Sequence, residues 1–194
     1  MRALRAWLPL ALAARVRARS YAMALQGCSN QTYDMSDLTT IAGSQRGVWE
    51  ELGSVVPWWS VLSSPEFDGT NQLSNEKLQT FYDTGEEAVA KALARTSKIA
   101  RDHGARAVWS GGGIGSTAID FGCGVGRLAS ALAKRFASVY CVDHSTAHLG
   151  LAARSIQGRE ASRLHYVATA QAGAEIINEH ADFVLSLLSL QHMV

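Results

Sequence analysis

The sequence predicts an α/β domain, a parallel sheet with flanking helices, preceded by an N-terminal helical and loop cap. Three observations carry that expectation. From residue 117 onward, short apolar runs alternate with amphipathic stretches of helical period. A turn of three alternate glycines joins the first run to the first helix, and an aspartate closes the second run. Alternation at this spacing requires crossover connections, and crossovers lay neighbouring strands parallel.

The composition agrees with one packed domain. The chain has 194 residues, 47% hydrophobic and 18% charged, enough to bury a core and unlike a collagen, a coiled coil or a disordered chain. Cys28, Cys123 and Cys141 are too few and too scattered for a disulfide framework or a zinc site, and suit a reducing compartment. The formal charge of +1 conceals a split. Arg2, Arg5, Arg15, Arg17 and Arg19 make the first 33 residues basic with no acid, and the remainder is net acidic. An acidic body offers no basic face, so nucleic acid is not an expected partner. The apolar run Ala6 to Ala14 is far short of a membrane span, so no membrane is expected either.

Residues 1–33 read as a leader or a mis-called start. Leu4, Leu8 and Leu12 at four-residue spacing among arginines suit an organelle presequence, and translation beginning at Met23 is the alternative. The expected location is cytoplasmic, or a mitochondrion or plastid if the leader is a presequence. Residues 34–110 are expected to form a cap and a lead helix. Within them, 34–83 mix polar, turn and aromatic residues, including the pair Trp58-Trp59, and read as short helices and loops. Thr84-Gly85-Glu86-Glu87 has capping-box spacing, so the lead helix is expected to start there, with Val89, Leu93 and Ile99 on its apolar face and Gly104 as its stop. Gly111-Gly112-Gly113-Ile114-Gly115-Ser116 precedes a strand and lacks a Lys-Ser/Thr ending, so it reads as a linker and not a phosphate loop.

Residues 117–194 carry the expected sheet. The strands are Thr117–Phe121, Ser138–Val142, Leu164–Ala168 and Phe183–Leu190. Between them lie a helix over 127–136, a second capped by Ser145, and a short one near 172–178. The last strand is apolar on both faces, as in a sheet interior. With nothing after it to pair with, it is expected to be an open edge through which the chain associates.

The most informative segment is Asp120-Phe121-Gly122-Cys123-Gly124-Val125-Gly126-Arg127. Alternate glycines permit backbone angles closed to other residues and let a ligand approach the main chain, and the helix beyond presents free N–H groups. A dinucleotide fingerprint needs its third glycine where Arg127 stands, which disfavours an NAD-dependent oxidoreductase. The phrase D-x-G-x-G-x-G, followed by Val139-Tyr140-Cys141-Val142-Asp143, resembles the first two motifs of class I S-adenosylmethionine-dependent methyltransferases.

That resemblance, to small-molecule-type members, implies a Rossmann-like fold and S-adenosyl-L-methionine as cofactor. It implies a site built from Asp120, Phe121, Gly122, Cys123, Gly124 and Gly126, with Asp143 accepting the ribose hydroxyls and His144 beside the adenine. Asp120 is expected to accept from the ligand's amine directly or through water, and Cys123 to be a small packed residue. The implied reaction is in-line methyl transfer to a small molecule or a protein side chain. His192, after the fourth strand, is the candidate base. Ser189-Leu190-Gln191-His192 lacks the Asn/Asp-Pro-Pro-aromatic pattern of enzymes acting on amide or adenine amino nitrogens, and there is no Pro-Cys pair as in cytosine C5 enzymes. The third strand exits through Ala168-Thr169-Ala170-Gln171 without the acid that usually reads adenine. A seven-stranded fold would continue past the fourth strand, so the chain is expected to hold a truncated, incomplete class I methyltransferase fold. A non-catalytic cofactor-binding fragment or subunit is the alternative.

Overall fold

The computed structural model describes residues 35–68, 72–104, 116–169 and 181–189. The expected leader, residues 111–115 of the glycine-rich linker, the short helix near 172–178 and His192 lie outside the described residues. The chain divides into two compact units, Met1–Thr40 and Ile41–Val194. The first unit includes the start of the expected cap, and the rest of the cap lies with the sheet in the second.

The cap begins with α1 (Met35–Val55), a continuous helix of 21 residues. This corrects the expected short helices and loops. No proline interrupts 35–56, and the glycines within it are tolerated in a helix of that length. α2 (Pro57–Val61) follows, with proline at its first position, where a missing N–H costs nothing. A 3-10 turn (Pro65–Phe67) then leads to α3 (Asn75–Asp102), 28 residues long.

α3 starts nine residues before the expected Thr84. Ser74 is the true N-cap, its hydroxyl accepting from the Lys77 N–H at 3.3 Å. The capping-box residues have other partners. The Thr84 hydroxyl donates to the Phe81 carbonyl, Glu87 pairs with Lys91, and Glu86 reaches across to Arg135 at 2.9 Å. The physical reason is an apolar face that runs unbroken through Thr84. Phe81, Gly85 and Val89, four residues apart, are buried together.

The sheet contains β1 (Thr117–Phe121), β2 (Ser138–Asp143), β3 (Leu164–Ala168) and β4 (Phe183–Leu185), all parallel, in the order β3-β2-β1-β4. Between β1 and β2 runs α4 (Arg127–Ala133), and between β2 and β3 runs α5 (Thr146–Ser155). The chain steps outward from β1 to β2 and β3, then returns to the other side of β1. The carboxyl end of β1 is therefore a topological switch point, where open α/β sheets bind ligands.

β4 ends at Leu185, short of the expected Leu190. Its pairing with β1 covers only Ala118 to Asp120, and Leu188 then takes φ of 65° as the chain bends over the glycine turn. Nor is β4 covered on both faces, since Phe183 is buried while Val184 is 60% exposed.

One core cluster joins α4, the strands and the α3 face through Val89, Leu132, Phe136, Val139 and Phe183. The Phe136 and Phe183 rings stack at 5.7 Å. A second cluster holds the cap, where Trp58, Phe67 and Phe81 meet edge to face and Val125 of the glycine turn joins them. Trp58 is thus core, and its neighbour Trp59 stays partly exposed. No described helix is long and apolar enough to cross a membrane.

Candidate functional site

A cavity of about 390 Å³ opens at the carboxyl ends of the strands, within the size range of small-ligand sites. Gly122, Cys123 and Gly124 form its floor, and Asp143 and His144 come from the end of β2. The cap closes it with Trp49 of α1 and Ser60, Val61 and Leu62. Leu187, Leu188 and Ser189, beyond β4, supply the remaining side.

The turn is shaped for close approach. Gly122, Gly124 and Gly126 all have positive φ, a region that side chains rarely adopt. A Cβ on Gly122 would lie 2.3 Å from Ser189 Oγ, and one on Gly124 would lie 2.4 Å from Val61 Cγ2. The Ser189 hydroxyl donates to the Gly122 carbonyl at 3.0 Å, so the segment after β4 is tied to the turn.

Asp143 organises the floor. Its Oδ2 accepts from the Gly124 N–H at 2.7 Å, and its Oδ1 accepts from the Ser145 N–H at 2.9 Å. One carboxylate thereby fixes both the glycine turn and the entry to α5, while still lining the cavity. Beside it, His144 Nδ1 and Thr169 Oγ1 lie 2.7 Å apart, joining the exits of β2 and β3. Thr169 thus places a hydroxyl where the sequence lacked an acid.

Three residues expected at the site lie off the cavity wall. Asp120 is fully buried behind the turn, and neither carboxylate oxygen makes a close, well-aligned hydrogen bond. This corrects the expectation of direct contact with a ligand amine. Burial and the nearby Asp143 charge push its pKa up to about 7, against the opposing pull of Arg127 and the Ala129 N–H. Gly126 serves packing. A Cβ there would meet Ile156 at 2.6 Å and Ala152 of α5 at 3.3 Å. Phe121 is taken up by its pairing with Val142. Cys123 lines the floor, but burial pushes its thiol well above the ordinary range, and the neighbouring Cys141 adds to the effect. It is a buried, packed thiol.

The sequence missed the cap's contribution. Glu50 of α1 accepts from the Thr146 N–H at 2.7 Å, the Thr146 hydroxyl at 2.6 Å and the Ala147 N–H at 3.1 Å. It caps α5 from 96 residues away. Ser60 Oγ and His148 Nε2 lie 2.8 Å apart on the cavity wall. Among the described residues, no group of three or more His, Cys, Asp or Glu is placed to hold a metal ion.

Residues 118–194 match the family profile described as a methyltransferase domain. This segment is a class I methyltransferase domain. Its four-stranded parallel sheet, with the glycine turn at the central β1, is the Rossmann-like arrangement that the motif implied. No curated protein matches the chain. The methyltransferase domain begins one residue into β1, so α1, α2 and α3, which roof and brace its cavity, come from outside the matched segment.

Proposed function

We propose that the cavity binds S-adenosyl-L-methionine and that the domain transfers its methyl group to a small molecule or a protein side chain. The carrying observation is Asp143, whose carboxylate lines the cavity while holding Gly124 at 2.7 Å. The residues present fit the cofactor. A side-chain-free turn leaves room at the floor, a carboxylate can accept hydroxyl hydrogens, and the volume suits one such molecule.

When bound, the cofactor supplies an electrophilic methyl carbon on a sulfonium. The chain's own contribution is orientation and exclusion of water. Gly122 and Gly124 admit the ligand to the main chain, Asp143 fixes its rotation, and Val61, Leu62 and Trp49 close the cap side. His192 stays the proposed proton acceptor for a nucleophile that must lose a proton.

Calorimetric titration of the full chain with S-adenosylhomocysteine tests the reading. Saturable binding is expected, weakened roughly 10- to 100-fold by Asp143→Ala, since hydrogen bonds to a charged group contribute about 1.5–3 kcal/mol. Absence of heat from a folded sample at high ligand concentration would sink it, and displacement by NAD would favour an oxidoreductase.

A second reading, a cofactor-binding subunit without catalysis of its own, is favoured by the apolar surface at the β4 edge. Val184 of β4 is 60% exposed. Association through that edge would bury it. Methyl transfer by the isolated chain to any acceptor in a panel removes this reading.

A further inference from the structure

The cap contributes one polar feature to the cavity that neither the motif nor the matched segment accounts for. Ser60, on α2, and His148, on α5, are 88 residues apart in sequence, hydrogen bonded to each other, and both on the cavity wall. His148 is 2% exposed, and its Nδ1 makes no hydrogen bond. Burial lowers its pKa, against the opposing pull of Asp143, Glu50 and the Pro57 carbonyl.

The Ser60 hydroxyl sits between two partners, the Pro57 carbonyl at 2.9 Å and His148 Nε2 at 2.8 Å, and its one hydrogen serves one of them. His148 Nδ1 faces Gly53. Whichever partner takes the hydrogen, Ser60 Oγ keeps at least one lone pair, and the two contacts hold it in place. Asp143 lines the same cavity as the pair.

We propose that Ser60 is a ligand-binding residue, that its oxygen accepts a hydrogen bond from an O–H or N–H of the bound cofactor, and that His148 positions it. This rests on the cofactor assignment above. Both Asp143 oxygens already hold a backbone N–H. A ligand with two adjacent hydroxyl donors is therefore better served by a second acceptor from the cap. The same contact clamps α2 onto the ligand, which couples closure of the cap to recognition.

The test is a calorimetric double-mutant cycle on the full chain, using S-adenosylhomocysteine and its 2′-deoxy, 3′-deoxy and deaminated analogues. The wild type is expected to lose about 5- to 20-fold in affinity for the analogue lacking the contacted donor. Ser60→Ala should bind the parent ligand weaker by a similar factor and no longer distinguish that analogue. The deoxy arms and the deaminated arm separate a ribose hydroxyl from the ammonium as donor. His148→Gln, which keeps an N–H near Nε2, should retain the discrimination, and His148→Leu should lose it, a change that a purely structural role would not produce. Equal wild-type affinity for all four ligands overturns the proposal without any variant, and so does a Ser60→Ala loss that is the same for every ligand. Should Ser60→Ala not fold, Ser60→Cys, a weaker acceptor of similar size, carries the same comparison. If the wild type binds none of the four, the cofactor assignment and this proposal fall together. Binding without discrimination removes this proposal alone.

Discussion

A Cβ placed on Gly85 would lie 2.1 Å from the carbonyl oxygen of Arg127, so α3 touches the first residue of α4 backbone to backbone. The contact sits one residue beyond the glycine turn and sets how the long helix braces the cavity floor. Tyr82, one turn earlier, adds a hydroxyl that donates to the Val125 carbonyl at 3.1 Å.

Gly85→Ala is expected to destabilise the protein. A glycine-to-alanine change inside a helix ordinarily gains about 0.5–1 kcal/mol. Here a forced overlap with backbone opposes it, and overpacking costs about 1–3 kcal/mol. Gly47, in α1, has nothing within 4 Å of its Cβ position, so Gly47→Ala should show the ordinary gain. Urea midpoints moving in opposite directions for the two variants would establish the contact. Two gains would show that α3 does not press on Arg127.

Asp143→Asn is expected to lower stability in the absence of any ligand. The amide keeps one acceptor oxygen and turns an NH2 group toward the other backbone donor, Gly124 N–H or Ser145 N–H. Losing one hydrogen bond to a charged acceptor costs about 1.5–3 kcal/mol. Equilibrium denaturation without ligand reads it. An unchanged midpoint would mean that the carboxylate does not shape the turn.

What could be read from the sequence follows from how far apart the partners are. Gly122, Gly124 and Asp143 were legible because strand, turn and helix are covalent neighbours and their spacing carries the geometry. β1 and β3 fall on their expected residues for the same reason. Thr84 misled because a capping-box spacing also arises inside a helix, and only the buried face from Phe81 to Val89 shows that the helix continues. Glu50 on Thr146 and Ser60 on His148 join segments about ninety residues apart. No local pattern marks them, since each is an ordinary polar residue until the cap docks. Asp120 was legible as a motif residue, but its burial depends on how α4 packs over β1.

Glu50→Ala is expected to loosen the cap locally. The carboxylate satisfies two backbone donors at the α5 N-terminus, and N-terminal caps contribute about 0.5–2 kcal/mol. Amide exchange should quicken in α1 and in the first turn of α5 and stay unchanged in β1 and β2. The Thr146 hydroxyl bond holds the Glu50 pKa below the usual carboxylate range. Its contribution is therefore present above the unfolded value and lost as pH falls through the lower folded one. Exchange in the wild type should come to resemble the variant at strongly acidic pH. Uniform quickening across the sheet would instead mean that Glu50 supports global stability.

Asp120 carries the opposite pH dependence. Its folded pKa of about 7, raised by burial and by Asp143, compares with about 3.9 for an unfolded aspartate. The folded protein therefore holds a proton that the unfolded chain releases. The stabilisation is complete below the unfolded value and is lost as pH rises through the folded one. In that window the wild type should lose up to about 1.4 kcal/mol of unfolding free energy per pH unit from this group. Asp120→Asn, close in shape to the protonated acid and unable to ionise, lacks that slope. It should match the wild type near pH 4 and exceed it at pH 8. Urea denaturation of both proteins across that range reads the difference directly, because every other titrating group is common to the two. Parallel profiles would mean that Asp120 is ionised in the fold throughout, with Arg127 and the Ala129 N–H outweighing burial.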